Sequence, residues 1–244
     1  MNGEFSILAA SWLGPEGYGN DLTGLRDWPT SLAEQLQRGD LNGLHWSLLS
    51  DSDPSRFLRM DLMCRLGFMA VELLDAGFDT MSDVRREHTG VCIESFTGSL
   101  DTDIRFALTP RPSIFTYTLP STVIGEICIR FRLKGPVLSL VPTAPGGGDG
   151  PAEAIDWLQR GEAENVLCLS IEAMNRSTAN SLPLPPELSA AGWHAAALLL
   201  GPEENPSRAQ PLTAGPLADI AASRVRAPCR NALAISNRQK IQCG

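Results

Sequence analysis

The chain has 244 residues, 43% of them apolar and 20% charged, which is enough apolar surface for a sizeable core in one large or two small domains and excludes a disordered polymer. Twenty basic residues against 28 acidic give a net charge of -8, which argues against a duplex nucleic-acid binder with its basic face. No run approaches the roughly 18 apolar residues of a membrane span, and residues 1–5 carry Glu4 with no basic residue ahead of the apolar stretch, so no secretory signal and a cytoplasmic location are expected.

An apolar run over residues 4–12, followed by Gly14, Pro15, Gly17 and Gly19, predicts a buried strand entering a loop. Residues 14–55, rich in Gly, Asp and Ser, read as mostly irregular. The first strong helix is expected to start at Asp53 as N-cap with Pro54 at the first helical position, and to close at Gly77. Met63, Leu66, Met69, Ala70, Leu73 and Leu74 recur along it at helical spacing as a core-facing stripe.

Residues 90–95 alternate like a strand, and Pro110 and Pro112 then interrupt the chain. Ser121 opens a second helix with Val123, Ile124, Ile127, Cys128 and Phe131 on one face, ended by Gly135 and Pro136. Residues 137–141 form a strand that is apolar apart from Ser139. A Pro- and Gly-rich loop follows over 142–150, and Pro151 starts a third helix that Gly161 ends. Residues 165–171 and 193–200 read as two more strands, separated by a Pro-rich loop at 183–186. This alternation predicts an α/β fold with a mostly parallel sheet and crossover helices on its faces. A domain over 1–200 is expected, followed by a partly irregular tail over 201–244.

Little in these residues points to chemistry. The loop before Pro151 could cradle phosphate on free N–H groups, but a P-loop ends in Gly-Lys-Ser/Thr, and Asp149, Gly150 and Pro151 stand there instead. Ser139 and Thr143 are the hydroxyls nearest that turn, and no G-x-S-x-G elbow is present. The six cysteines make no C-x-x-C pair, so buried reduced thiols are expected rather than a metal site, and no cofactor is implied. Cys168, between Leu167 and Leu169, has the setting of an inert thiol. His45, His88 and His194 show neither metal spacing nor a triad.

Three segments in order carry a resemblance: 59–77, RMDLMCRLGFMAVELLDAG; 115–136, FTYTLPSTVIGEICIRFRLKGP; and 139–173, SLVPTAPGGGDGPAEAIDWLQRGEAENVLCLSIEA. Together they resemble the N-terminal half of β-ketoacyl synthases, over roughly residues 4–200. The resemblance implies half of a thiolase-like (ketosynthase) fold. It places the first long helix, the helix and turn ahead of the active-site strand, and the nucleophile loop with the helix after it. Active ketosynthases read Thr-Ala-Cys in that loop; here Thr143 and Ala144 are followed by Pro145, which has no nucleophile. The family's two histidines come from a C-terminal half that has no counterpart in this sequence.

The resemblance therefore implies a non-catalytic chain length factor that pairs with a full-length ketosynthase. The words FTYTLPS and GEICIRF are similar to the short versions accompanying aryl polyene ketosynthases. Full-length chain length factors commonly carry Gln at the nucleophile position, so Pro145 argues against a priming decarboxylase role. By the family's geometry, Val137, Leu138, Ser139, Leu140 and Val141 would pair edge to edge with the partner. Ile114 and Phe115 match the segment that reaches into the partner's acyl tunnel, with Asp103 and Phe106 as weaker pocket candidates. Acyl carrier protein, itself acidic, would be met through the partner. The alternatives are a stand-alone acyl-binding or scaffold remnant, and a small thioester hydrolase using Thr143 or Ser139.

Overall fold

A computed structural model of the chain describes residues 5–49, 56–74, 78, 81–142, 149–181, 183, 185, 192–202, 210–211 and 219–221. The N-terminal run forms β1 (Phe5–Gly14), which turns into β2 (Gly17–Asn20) and then β3 (Gly24–Arg26), before α1 (Thr30–Gln37). This stretch was expected to be mostly irregular. Its strands escape a side-chain pattern because Gly17 and Gly19 lie so close to the Arg26 and Gly24 carbonyls that a Cβ would overlap them.

The Met-rich stripe forms α2 (Leu62–Leu73), and its N-cap is Asp61, whose carboxylate accepts from the Cys64 N–H at 2.9 Å. The helix thus begins at Asp61 rather than at the expected Asp53; Asp53, Pro54 and Gly77 lie outside the described residues. Next come α3 (Asp83–Glu87), β4 (Thr89–Glu94), α4 (Leu100–Leu108), α5 (Pro112–Phe115) and α6 (Thr122–Phe131). The chain continues through β5 (Val137–Leu140), α7 (Asp149–Arg160), β6 (Asn165–Ala173), α8 (Arg176–Ala179), β7 (Trp193–Pro202) and β8 (Gln210–Pro211).

The sheet order is β3-β2-β1-β7-β6-β4-β5, with β8 also beside β1. Only β5, β4 and β6 pair in parallel; β7 is antiparallel to both β6 and β1, and the remaining pairs are antiparallel. The sheet is therefore mixed, not mostly parallel. Helical crossovers return the chain from β4 to β5 and from β5 to β6, as parallel pairing requires. Between β6 and β7 the described residues contain only the short α8, and β7 comes back reversed.

β7 is the central strand and is apolar from Ala195 to Leu200, as a strand covered on both faces should be. Its Ala195, Ala197 and Leu199 join one core cluster, while Ala196, Leu198 and Leu200 join the other. The first face carries α2 and α6 with an aromatic group in which the Phe68 ring lies 5.3 Å from Trp46 and 5.8 Å from Phe131. The second carries α7, through Ala154, Trp157 and Leu158. β7 runs across residue 200, β8 adds to β1, and Ile220 and Ala221 are buried in the second cluster. Among the described residues no helix is long and apolar enough to cross a membrane.

Candidate partner interface and cavity

β5 ends the sheet, with β4 on one side and no strand on the other among the described residues. The N–H groups of Val91 and Ser95 donate to the carbonyls of Pro136 and Leu140, at 2.8 and 3.1 Å. Strand backbone alternates with period two, so Leu138 and Leu140 turn their peptide groups toward β4, and Val137 and Ser139 turn theirs to the open edge. Leu138 and Leu140 pack against the second cluster. Val137 and Val141 are 54% and 69% exposed, so the segment presents a largely apolar edge on which the Val137 and Ser139 peptide groups meet no other strand among the described residues.

Ile114 and Phe115 close α5, a single turn opened by Pro112. The two side chains part company. Ile114 lines an open cavity of ≈ 800 Å³, whereas Phe115 is 61% exposed and meets Phe106 of α4 with ring centroids 5.5 Å apart. Leu108 and Leu119 are also largely exposed, so the α4–α5 segment presents apolar surface. Asp103 accepts from the Ser99 hydroxyl at 3.0 Å, and partial burial raises its pKa. Asp103 does not line the cavity; its neighbours Asp101, Thr102 and Arg105 do.

The cavity is lined by the segment leading into α2, by α4 and α5, and by Asn175, Ser177 and Thr178 around α8, which follows β6. Three buried carboxylates stand in this region. Glu172 accepts from the N–H groups of Phe96 and Thr97 (2.7 and 2.9 Å) and from the Thr97 hydroxyl (2.6 Å). Asp101 accepts from the Asn175 N–H at 3.1 Å, and Asp61 from the Thr102 hydroxyl at 2.7 Å. Burial raises the pKa of both Glu172 and Asp101 against the pull of these bonds. The network ties the β4 loop, α4, the β6 loop and the start of α2 into one frame. Sequence reasoning missed it, because a buried Asp or Glu looks like a surface one until its donors are placed. Arg56, Arg59 and Arg65 beside the cavity are a basic run visible in the sequence.

Thr143 and Pro145 lie outside the described residues. At the described start of α7, Glu94 reaches from the end of β4 and accepts from the Gly150 N–H at 3.0 Å. Ser139 stays on the β5 edge. His194 is in β7, stacked on Trp12 at 5.3 Å, with Nε2 3.4 Å from the Ser170 hydroxyl; Ser170 is buried and offers no approach for a substrate. Burial lowers the His194 pKa to about 4, so its imidazole is neutral near pH 7. His88 ends α3 with Nδ1 2.9 Å from the Val84 carbonyl. Cys64, Cys92 and Cys168 are buried free thiols; burial holds Cys92 near a pKa of about 12 and pushes Cys168 well above the ordinary thiol range.

No family model matches the chain, and no curated protein matches it in sequence. Solved structures match it in fold. The ishigamide ketosynthase/chain length factor gives a TM-score of 0.59 at 18% identity, over 87% of this chain and 65% of that one. A ketosynthase (ApeO) in complex with its chain length factor (ApeC) from Xenorhabdus doucetiae gives 0.51 at 16% identity, over 82% and 79% of the two chains. A beta-ketoacyl synthase from Burkholderia phymatum STM815 gives 0.56 at 15% identity, over 83% and 60%. The fold is thiolase-like, as in ketosynthases, and its sheet and helices correspond to half of that fold. The chain spans less than two thirds of the length of the matched ishigamide chain.

Proposed function

We propose that this chain is a non-catalytic, chain length factor-like subunit that pairs with a full-length β-ketoacyl synthase and helps shape its acyl pocket. The observation that carries this reading is the open edge of β5, flanked by exposed Val137 and Val141, on a fold shared with ketosynthase/chain length factor complexes. An edge strand with free peptide groups is a liability in a lone chain and an asset in a paired one. Val137, Leu138, Ser139, Leu140 and Val141 would add to the matching strand of the partner, and Phe115 would enter its tunnel. Ile114, Asp103 and Phe106 would support that segment. Pro145, in place of the family's Cys, leaves the condensation to the partner.

The matched chain in the Xenorhabdus doucetiae complex is close in length to this one, since the alignment covers 82% of one and 79% of the other. That supports a half-length partner subunit. The aryl polyene setting rests on the sequence words FTYTLPS and GEICIRF. The net charge of -8 favours docking of an acidic carrier protein on the partner rather than here.

The test is co-expression with the neighbouring full-length ketosynthase, one subunit tagged, followed by size-exclusion chromatography with mass determination. A one-to-one complex is expected. A ketosynthase homodimer eluting apart from this chain would overturn the reading.

A further inference from the structure

The cavity between the start of α2, α4, α5 and α8 has a charge pattern that the subunit reading does not use. Arg56, Arg59, Arg65 and Arg105 all line it. Its two carboxylates, Asp61 and Asp101, are buried and occupied by internal donors. Arg56 pairs with Glu126 at 3.2 Å, and Arg65 donates to the Leu58 carbonyl at 3.1 Å. Arg59 and Arg105 make no ion pair or side-chain hydrogen bond among the described residues, and the buried Nε of Arg65 has no acceptor there. Burial and the nearby Arg105 lower the pKa of Arg65, while Asp61 acts in the other direction, so four guanidinium groups share this wall with two carboxylates.

We propose that this cavity binds a phosphate-bearing small molecule, its phosphate taken by Arg59 and Arg105 and its organic part by the remaining volume. A guanidinium presents a fork of donors matched to phosphate oxygens, and a phosphate dianion can engage more than one fork, whereas a carboxylate is satisfied by one. The volume of ≈ 800 Å³ is far more than one phosphate fills and falls within the range of about 300–1,000 Å³ for small-molecule sites. Asn42 and Ser113 on the wall supply further polar contacts. This inference stands on the cavity alone and does not depend on the ketosynthase partner.

The experiment is isothermal titration of the purified full chain at constant ionic strength with inorganic phosphate, pyrophosphate, ADP and citrate. Saturable binding of pyrophosphate and ADP is expected, with ADP at least tenfold tighter than inorganic phosphate. Arg59→Ala and Arg105→Ala, both exposed positions, should each weaken ADP at least tenfold while circular dichroism and Tm stay unchanged. Citrate binding as tightly as ADP, ADP binding no tighter than inorganic phosphate, affinity unchanged in both variants, or no saturable binding would each overturn the proposal.

Discussion

The Gly150 N–H donates to Glu94 Oε2 across 3.0 Å, so the first turn of α7 is closed by a carboxylate from the end of β4. A helix N-terminus attracts anions through its free N–H groups and dipole, and here the chain supplies the anion itself. The fit is tight: a Cβ on Gly150 would stand 3.1 Å from the same oxygen. Glu94→Gln should cost about 1–3 kcal/mol of stability, the loss of a charge-assisted bond at a buried site. Chemical denaturation measures it, and an unchanged midpoint would show that the bond contributes nothing net.

Ser139→Pro separates the two sides of β5. Its N–H faces the open edge, so proline there removes no bond to β4. The isolated chain should keep its stability within about 1 kcal/mol, while pairing with the ketosynthase is lost. Leu138→Pro, whose N–H faces β4, should destabilise the chain itself. Equal loss of stability in both variants would mean that the strand edge is used within the chain.

His194 gives a pH signature. Its pKa is about 4 in the folded chain, against roughly 6.5 when unfolded. The unfolded chain therefore binds more protons below pH 6.5, and stability must fall as pH drops from about 6.5 toward 4. The full shift corresponds to at most about 3 kcal/mol. Denaturation of wild type and His194→Gln at pH 7.5, 6 and 5 isolates this slope from the oppositely shifted carboxyls of Asp101 and Glu172. Parallel curves for the two proteins would refute the assignment.

Phe115 is 61% exposed, so Phe115→Asp should leave the isolated chain within about 0.5 kcal/mol of wild type. Co-elution with the ketosynthase should be abolished. Phe115→Ala should keep the complex and lengthen its product, read by mass spectrometry. A product of unchanged length would remove Phe115 from the pocket while leaving the pairing intact.

The elements with strong local signals were legible: α2 and α6 by their stripes, α7 by Pro151 and Gly161 at its two ends, β4 by its alternation, and β5 to β7 by their apolar runs. The hairpin of β2 and β3 was not, because its glycines carry no pattern. The interface candidates divided once α5 was built, Ile114 turning to the cavity and Phe115 outward, a direction that spacing in a four-residue turn does not set. On α7 the exposed Asp156 and Arg160 pair at 2.8 Å. Exposed large apolar side chains lie on α4, α5 and β5 and the loops beside them, and also at Leu58, at Val84 on α3 and at Ile129 on α6.

Composition and period alone determined that this chain is an α/β domain with a core-facing Met-rich helix, because burial follows from hydrophobic spacing within one element. Only the tertiary structure decided that β7 runs against its neighbours, that β5 is left as an open edge, and that four arginines meet buried, occupied carboxylates around one cavity. Those relations join residues far apart in the chain, and nothing in local sequence carries the direction or distance at which they meet.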